Sequence, residues 1–460
     1  MNKYDVVVIG SGPGGYVAAI RCSQLGLRTG IVERAEIGGV CLNWGCIPSK
    51  SLLRNAEVLS LFHRAHEFGI SYNNLEVDFG VAIDRSRKVV GQLTRGVGSL
   101  LQKNKIDHLQ GNASLTGPNT IQIEESGESY EADHFILATG ASPKTLPSLP
   151  IDGDLVITSR EALETTELPE SILIVGGGAT GCEFAYIYNS YGVKVTMVEL
   201  LPKILPNEDP DISQYLERIF TKQGIEVRTN SKVLNFSTEK GKAKVELEGP
   251  NGKETVFFNK VLVATGVEGN IQGLGLEPLG ITTERGFIQI DDEMKTTAPS
   301  IYAIGDVTGK MLLAHVASAQ GVFVAEHIAG KNPSPLNYTV IPRAVYCQPQ
   351  VASWGISEPQ AKELNLKFKV GRFPFSANGK ALGLGEGDGF VKVIVGEEYG
   401  ELLGAHLIGP EVTEILAELS IANLLEGTVK EVGLQIHAHP TLSEAVKEAA
   451  LAAEGEAIHI

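Results

Sequence analysis

The sequence predicts an α/β protein with two Rossmann-like dinucleotide-binding domains followed by a C-terminal α+β domain. A layout of apolar strand, glycine turn, helix and second strand occurs at residues 4–33 and again at residues 171–199, which predicts the two nucleotide domains. Residues 341–460 contain strand-like runs followed by helical segments and no further glycine motif, which predicts the last domain. The 460 residues are enough for three domains of roughly 150 residues.

The first repeat carries the spacing G-x-G-x-x-G at Gly10, Gly12 and Gly15, and its second strand ends in Glu33. The first glycine permits a tight turn, the second lets a pyrophosphate approach the backbone, and the third lets helix pack on strand. The helix N-terminus then offers free N–H groups to the phosphates, and the glutamate accepts a hydrogen bond from a ribose hydroxyl. This repeat therefore predicts a dinucleotide site.

The second repeat has the same motif at Gly176, Gly178 and Gly181, and its second strand ends in Glu199. Both glutamates follow the last glycine at the same distance, close to the roughly 20 residues expected of a dinucleotide site. One such motif is weak support, because glycine turns are common in α/β folds. Two motifs in the same context indicate two sites.

Composition and charge exclude several classes of function. Lys and Arg number 39 against 55 Asp and Glu, so the formal charge of −16 disfavours nucleic-acid binding. The chain has no run of about 18 apolar residues, which excludes a membrane span. The start of the sequence shows no leader, and five sparse cysteines do not form a secreted framework. We therefore expect a soluble cytoplasmic protein.

The segment GGVCLNWGCIPSK, residues 38–50, indicates redox chemistry. Cys41 and Cys46 lie one turn apart near a predicted helix start, where a strained and reducible disulfide is possible. The helix N-terminus and Lys50 both lower the pKa of a nearby thiol. Two buried structural cysteines, or half of a metal site, remain as alternatives. The sequence has no CxxC motif or histidine cluster to complete such a metal site, so we expect no metal.

Four segments carry a resemblance to a known family: GGVCLNWGCIPSK, TTAPSIYAIGDV (296–307), LLAHVASAQG (312–321) and HAHPTLSEA (437–445). Through them the chain resembles, over nearly its whole length, the flavin-dependent pyridine nucleotide–disulfide oxidoreductases. Within that family it is most similar to the members that oxidise dihydrolipoamide. The resemblance implies FAD in the first nucleotide site, NAD in the second, and a homodimer with its interface in the C-terminal region.

The resemblance also implies a division of the chain and a set of site residues. The expected domains are the first part of the FAD domain at 1–146, the NAD domain at 147–270, the second part of the FAD domain at 271–340, and the interface domain at 341–460. The expected FAD residues are Gly10, Gly12, Gly14, Gly15, Glu33, Lys50, Ala113, Asp306 and Ala314. The expected NAD residues are Gly176, Gly178, Gly181, Glu199, Val233 and Gly266. The expected catalytic residues are Cys41, Cys46, Lys50, Glu183, His439 and Glu444.

Simple physical chemistry supports three of these assignments. Glu199 accepts from the free 2′-hydroxyl of NAD and repels the 2′-phosphate of NADP. A cation at Lys50, oriented by Glu183, favours negative charge on a reduced flavin. A histidine held by a carboxylate is fixed in one tautomer and made more basic, which suits His439 and its partner Glu444 for deprotonating a thiol.

The implied reaction begins when His439, offered by the second subunit, deprotonates dihydrolipoamide. The resulting thiolate attacks Cys41, and Cys46 passes the electron pair to the flavin and on to NAD. The implied partner is a lipoyl-bearing protein, either the acyltransferase core of a 2-oxo acid dehydrogenase complex or a glycine-cleavage carrier. A glutathione reductase-like enzyme and a non-catalytic flavoprotein subunit are the alternatives. The chain departs from the family pattern at Trp44 and at the run from Val267 to Gly269.

Overall fold

The computed structural model describes residues 3–460, so residues 1–2, where the first expected domain begins, lie outside the described part of the chain. The elements up to residue 143 alternate strands and helices around the first glycine turn. They are β1 (Lys3–Ile9), α1 (Pro13–Gln24), β2 (Thr29–Glu33), α2 (Gly39–Trp44), α3 (Cys46–His63), α4 (Phe79–Lys103), β3 (Asp107–Gln110), β4 (Ala113–Gly117), β5 (Thr120–Ile123), β6 (Ser129–Leu137) and β7 (Ala141–Pro143).

The next region repeats this alternation around the second glycine turn and adds three long antiparallel strands. Its elements are β8 (Val156–Ile157), α5 (Ser159–Ala162), β9 (Ser171–Val175), α6 (Ala179–Ser190), β10 (Lys194–Val198), α7 (Pro210–Lys222), β11 (Glu226–Arg228), β12 (Lys232–Glu239), β13 (Lys242–Gly249), β14 (Gly252–Phe258), β15 (Lys260–Val263) and β16 (Val267–Gly269).

A short segment of three strands and one helix precedes the C-terminal region. It contains β17 (Thr283–Glu284), β18 (Phe287–Ile288), β19 (Ile301–Ala303) and α8 (Ala314–Ile328). The C-terminal region contains β20 (Arg343–Val345), β21 (Gln350–Gly355), α9 (Glu358–Glu363), β22 (Phe368–Pro374), α10 (Gly379–Leu384), β23 (Phe390–Gly396), β24 (Leu402–Gly409), α11 (Val412–Leu424), α12 (Val429–Leu434) and α13 (Glu444–Glu454).

The first sheet has the strand order β3-β2-β1-β6-β5-β4, with β19 also pairing with β6. Strands β3, β2, β1, β6 and β19 are parallel, whereas β5 and β4 extend the sheet antiparallel. Residues Val6 to Ile9 are all buried, as expected for a strand that has helices on both faces. The return of β19 to this sheet brings the next residue, Ile304, to 3.2 Å from the Cβ position of Gly14 in the first glycine turn.

The second sheet is fully parallel, in the order β11-β10-β9-β15-β8. Along the chain, the antiparallel sheet β12-β13-β14 is inserted between strands β11 and β15 of the parallel sheet. Two short strands at the ends of this region, β7 and β16, pair with each other in an antiparallel ribbon. The two nucleotide regions are therefore joined by a two-stranded ribbon.

The C-terminal region forms a five-stranded antiparallel sheet in the order β20-β21-β24-β23-β22. Helices α11 and α13 pack on it through buried Val, Leu and Ala side chains. The predicted fold class, two dinucleotide-binding α/β units plus an α+β unit, is confirmed. The expected domain boundaries at residues 146, 270 and 340 stay predictions. Within residues 3–460, no helix has both the length and the apolar character needed to cross a membrane.

Close packing of α13 on β22 gives the first testable prediction. A Cβ at Gly371 would lie 2.0 Å from the carbonyl oxygen of Ala449, so Gly371→Ala forces helix and strand apart. We expect a loss of about 1–3 kcal/mol in the free energy of unfolding, measured by denaturant titration. Gly379→Ala is the matched control, because no atom lies within 4 Å of its Cβ position. Equal stability of the two variants would contradict this account of the packing.

Candidate active site

The redox segment forms the short helix α2 and the first turn of the long helix α3, on either side of Gly45. Cys41 lies on α2, and Cys46 is the first residue of α3, next to the free N–H groups of that helix. Both cysteines are half-buried, and they are not joined by a disulfide. A hydrogen bond from the Cys41 thiol, and then the charge of Lys50, lower the pKa of Cys46 to about 7 against the opposing effect of burial. The same hydrogen bond, together with burial, raises the pKa of Cys41.

The structure brings Lys50 and Glu183 into contact. The Lys50 ammonium, one helical turn after Cys46, lies 2.9 Å from each carboxylate oxygen of Glu183 on α6. Glu183 also accepts a hydrogen bond from the backbone N–H of Tyr346, and the ring of Tyr346 lies under the ammonium. Burial disfavours the ammonium, but the charge and hydrogen bonds of Glu183 outweigh burial and raise the pKa of Lys50. The site therefore keeps a fixed positive charge beside the Cys46 sulfur.

Trp44, noted above as a departure from the family pattern, packs against two guanidinium groups. The Arg87 and Arg160 carbons lie 4.6 and 4.4 Å from the Trp44 ring centroid, each within cation–π range. Arg87 also donates to the backbone oxygen of Asn43 at 2.7 Å. Arg87 comes from α4 and Arg160 from α5, so these contacts fix the short redox helix α2 between two regions. Sequence reasoning missed both arginines, because they lie far from Trp44 along the chain.

The first glycine turn has the shape that a pyrophosphate requires. A Cβ at Gly10, where φ is +103°, would lie 2.3 Å from the oxygen of Ala138, whereas the Cβ position at Gly12 has no atom within 4 Å. Helix α1 begins after Gly12 without a side-chain cap, so no side chain accepts from the N–H groups of its first turn. Glu33 accepts from the backbone and hydroxyl of Ser11 at 2.9 and 2.7 Å. These residues fit the pyrophosphate and ribose of a dinucleotide.

Further predicted FAD residues lie near this turn. Helix α8, which begins at Ala314, packs on α1 so closely that a Cβ at Gly321 would lie 2.6 Å from the oxygen of Gly14. Asp306 lies in the turn after β19, and burial raises the pKa of its carboxyl to about 6. A carboxyl in this setting is stabilised by a hydroxyl donor, which a ribityl chain provides. The residues present therefore fit FAD.

The second glycine turn repeats this geometry at Gly176, Gly178 and Gly181. The Cβ position at Gly178 is again open, and helix α6 begins after it without a side-chain cap. Glu199 accepts from the backbone N–H groups of Gly177 and Leu201 at 2.6 and 2.8 Å. Its carboxylate thus holds both the glycine turn and the segment after β10. The carboxylate oxygens retain lone pairs that can accept from a ribose hydroxyl.

Three of the predicted nucleotide residues show no polar side-chain contact that marks a site. Ala113 is buried at the start of β4, and Val233 lies in β12, where its carbonyl accepts from Ser148 at 3.3 Å. Gly266 has φ +109°, and its carbonyl accepts from the backbone N–H of Lys144. Residues of these types make polar contacts with a ligand only through their backbone atoms, so their side chains do not mark a site. Their assignments stay predictions.

The structure joins His439 to Glu444 at the start of α13. The His439 Nδ1 lies 2.9 Å from the Glu444 carboxylate, whose other oxygen accepts from the Thr441 backbone. Burial opposes ionisation of Glu444, but these two hydrogen bonds lower the pKa of its carboxyl. The His439 side chain is 80 % exposed, so its ring is open to solvent in one subunit.

Sequence reasoning missed two similar pairs in the C-terminal region. His437, two residues before His439, contacts Glu418 of α11, and its side chain is buried. His459 pairs with Glu448 of α13 at 2.8 Å. Glu444 and Glu448 are four residues apart and so lie on one face of α13. The four-residue spacing of these two glutamates is the sequence signal that could have indicated the pair of His459 with Glu448.

Comparison with known protein families gives two matches that together cover most of the chain. Residues 4–321 match the family described as pyridine nucleotide-disulphide oxidoreductase. Residues 341–450 match the dimerisation domain of the same family.

Curated relatives match over nearly the full length. A dihydrolipoyl dehydrogenase of Bacillus subtilis is 46 % identical, with 100 % of this chain and 99 % of the relative covered. A dihydrolipoyl dehydrogenase of Chlorobaculum tepidum is 47 % identical, with 97 % of this chain and 96 % of the relative covered. Another, of Mycobacterium tuberculosis, is 46 % identical, with 97 % of each chain covered.

Solved structures share the fold. LpdA from Mycobacterium tuberculosis has a TM-score of 0.90 at 27 % identity, covering 98 % of this chain and 99 % of that chain. The HOCl-induced flavoprotein disulfide reductase RclA from Escherichia coli has a TM-score of 0.87 at 27 % identity, covering 96 % of this chain and 98 % of that chain.

The coupling of the two thiols gives the second prediction. Cys41→Ala removes the hydrogen bond that contributes most to the low pKa of Cys46, so we expect that pKa to rise well above about 7. The measurement is the pH dependence of Cys46 alkylation by iodoacetamide in the reduced protein, followed by peptide mapping. Cys22→Ala, which removes a buried cysteine that makes no contribution to the Cys46 pKa, is the control. An unchanged pH midpoint in Cys41→Ala would refute the coupling.

The second glycine turn gives the third prediction. Gly181→Ala places a Cβ 2.0 Å from the oxygen of Gly176, so we expect a loss of stability of about 1–3 kcal/mol. Gly178→Ala meets no atom within 4 Å, so we expect normal stability. Its methyl group nevertheless occupies the open face of the turn, and we expect NAD⁺ to bind about tenfold more weakly. Thermal unfolding and calorimetric titration with NAD⁺ measure the two effects, and normal NAD⁺ affinity in Gly178→Ala would rule out this turn as the site.

Proposed function

The chain belongs to the pyridine nucleotide-disulphide oxidoreductase family, and from this premise we propose that it acts as a dihydrolipoyl dehydrogenase. It is an NAD-dependent disulfide oxidoreductase that contains FAD. The proposed reaction oxidises protein-bound dihydrolipoamide to lipoamide and reduces NAD⁺ to NADH. The observation that carries the proposal is the redox pair itself, in which Cys46 has a pKa of about 7 beside the ion pair of Lys50 and Glu183.

The thiol chemistry follows from the positions of the two cysteines. In the oxidised protein a substrate thiolate attacks the Cys41 sulfur, the Cys41–Cys46 bond breaks, and Cys46 leaves as a thiolate. The second substrate thiol then displaces Cys41 from the mixed disulfide, which releases lipoamide. Lys50 stabilises the Cys46 thiolate, because its ammonium lies close enough to lower the pKa of that sulfur. Bound FAD supplies the two-electron carrier between this dithiol and the nicotinamide.

We assign the proton transfer to His439, held in position by Glu444. The dimerisation domain indicates a homodimer, and several large apolar side chains near His439 are exposed in the single chain. These residues are Ile421, Leu424, Leu425, Leu434 and Ile436. Exposed apolar patches of this kind mark interaction surfaces. We therefore propose that a second subunit covers this face and that His439 serves the redox pair of that subunit.

The proposed choice of NAD over NADP depends on the surroundings of Glu199. A carboxylate at this position repels a 2′-phosphate, and a nearby cation is needed to overcome that repulsion. Lys203 is the nearest lysine in the sequence, but its ammonium donates to the backbone oxygen of Glu208 at 2.6 Å. Burial lowers the pKa of Lys203 as well. Lys203 is therefore engaged within its own loop and does not serve as a ligand for a 2′-phosphate.

The physiological partner that we propose is a lipoyl-bearing protein, either the acyltransferase core of a 2-oxo acid dehydrogenase complex or a glycine-cleavage carrier. We propose the cytoplasm as its location. A glutathione reductase-like enzyme is the alternative, and the absence of a basic residue directly after Glu199 disfavours its NADPH. The joint presence of Cys41, Cys46 and His439 disfavours a non-catalytic flavoprotein, which needs none of them.

Activity with the free substrate tests the proposal. We expect the purified FAD-loaded protein to reduce NAD⁺ with dihydrolipoamide, and Cys46→Ser to abolish this activity because the Cys41–Cys46 disulfide can then not form. NADP⁺ with dihydrolipoamide, and NADPH with glutathione disulfide, are the parallel reactions. Faster reduction of glutathione disulfide than oxidation of dihydrolipoamide would replace the proposal by the glutathione reductase-like alternative.

A matched pair of histidine variants tests the base. We expect His439→Gln to lower kcat with dihydrolipoamide by about 10²- to 10⁴-fold, because thiol deprotonation loses its base. Reduction of the bound flavin by NADH, which needs no thiol deprotonation, is expected to stay normal. His459→Gln is the control, because His459 is an exposed histidine paired with a glutamate of the same helix. Similar losses in both variants would argue that the C-terminal region, and not the base, had been disturbed.

A further inference from the structure

Five polar residues form a row across the whole C-terminal sheet, one from each strand. The strand registers pair Arg343 with Ser353, Ser353 with His406, His406 with Lys392, and Lys392 with Arg372. Residues directly opposite each other on neighbouring strands point to the same face of a sheet. Ser353, His406 and Lys392 are almost fully buried. We call these five residues the cross-strand row.

The cross-strand row contacts the acidic segment Glu208–Asp211, which spans the start of α7 in the second nucleotide region. Arg343 and Ser353 both donate to Glu208, the arginine at 3.0 Å. The Lys392 ammonium lies 3.0 Å from Asp209 and 2.9 Å from Asp211.

Two further contacts complete the cluster. Glu358 lies 2.9 Å from the Lys392 ammonium, and Arg372 lies 3.8 Å from Asp211. Lys392 has three N–H donors, and the carboxylates of Asp209, Asp211 and Glu358 accept from all three.

Charges so deeply buried call for an explanation other than stability. The Lys392 side chain is 2 % exposed and that of Asp209 is 0 % exposed. Removing such charges from water costs about as much as their attraction returns, so apolar side chains of similar size often give equal stability. Ion pairs differ from apolar contacts in that they accept only one geometry. The cluster therefore fixes how the acidic segment sits on the C-terminal sheet.

The acidic segment is connected to the second glycine turn by backbone hydrogen bonds. The Glu208 N–H donates to the Leu205 oxygen at 2.9 Å, and the Leu205 N–H donates to the Gly177 oxygen at 2.8 Å. The Gly177 N–H in turn donates to the Glu199 carboxylate. Gly177 thus lies between the predicted ribose ligand and the loop that the cross-strand row anchors. A shift of the acidic segment therefore moves Gly177 and, with it, the Glu199 carboxylate.

We propose that the cross-strand row is a positioning device for NAD, with Lys392 as its central residue. Lys392 has no hydrogen bond or ion pair with Glu199 or with a residue of the second glycine turn within the described chain. It acts by holding Asp209, whose neighbour in the chain, Glu208, is connected through Leu205 to Gly177 in the turn that receives the pyrophosphate. This inference rests on the proposed function, because it concerns the NAD site of that reaction.

The test compares Lys392→Met with the wild-type holoprotein by calorimetric titration with NAD⁺. We expect the Kd for NAD⁺ to rise by about two- to thirtyfold, the range found for residues that act on a site through intermediate contacts. In steady-state assays we expect the KM for NAD⁺ to rise more than kcat falls. Reduction of the bound flavin by dihydrolipoamide without NAD⁺ is expected to keep its wild-type rate, because the redox pair lies on a different region.

Lys369→Met is the matched control. Lys369 lies on β22 of the same sheet, and it pairs with Glu454 at the surface, outside the cross-strand row. We expect wild-type NAD⁺ affinity in this variant. If Lys392→Met yields no folded protein with bound FAD, the same NAD⁺ titration is made with Ser353→Ala. This variant removes one hydrogen bond to Glu208 and leaves every charge in place.

Three results would overturn the inference: unchanged NAD⁺ affinity in the decisive variant, equal losses in both half-reactions, or an equal effect of Lys369→Met. A selective loss of NAD⁺ affinity supports it. Failure of the wild-type protein to reduce its flavin with dihydrolipoamide would refute the proposed function instead. The NAD⁺ titration is independent of that result, so the two failures are distinguishable.

Discussion

The ion pair between Lys50 and Glu183 is the contact at which the three regions of the chain meet. Lys50 follows the redox cysteines on α3, Glu183 lies on the helix of the second glycine turn, and Tyr346 of the C-terminal region donates its N–H to the same carboxylate. Glu183 is only 5 % exposed, and a carboxylate so buried requires a cation and hydrogen bonds. Loss of Lys50 or of the Tyr346 N–H leaves the buried Glu183 carboxylate incompletely satisfied. Loss of Glu183 leaves the Lys50 ammonium without its counterion. The relative positions of the three regions therefore depend on this site.

The two glycine turns share one local geometry, and we propose that each receives a different dinucleotide. In each, the first glycine lies against a backbone oxygen, the second leaves its Cβ position open, and a buried glutamate accepts from the loop backbone. The surroundings differ. Helix α8 closes over the first turn, whereas the acidic segment and its ion pairs lie behind the second. A cofactor that stays bound suits the more enclosed turn, and a nucleotide that must leave after each reaction suits the turn that a loop supports.

The parts of the site that are local in sequence were predictable, and the parts built from distant residues were not. The glycine motifs, Cys41 with Cys46, and His439 with Glu444 each lie within one short segment, so spacing alone indicates their proximity. The two arginines beside Trp44 and the cross-strand row come from separate elements. Their contacts depend on sheet register and helix packing, which local sequence patterns do not encode. Without the family resemblance, Lys50 and Glu183 would have been read as ordinary surface charges, although Glu183 is buried.

Helix α2 shows why the redox pair needs support from both nucleotide regions. It has only six residues, too few for an isolated helix to be stable in water. Trp44 at its end is held by Arg87 of the first region and by Arg160 of the second. On the next helix, Lys50 is held by Glu183 of the second region. Cys46 lies between Trp44 and Lys50, and Cys41 lies one turn before Trp44 on the same short helix, so the separation of the two sulfurs is set by tertiary contacts. Thiol–disulfide exchange changes the bonding between the two sulfurs in every cycle, and a rigid frame lets that change occur without loss of alignment with the flavin site.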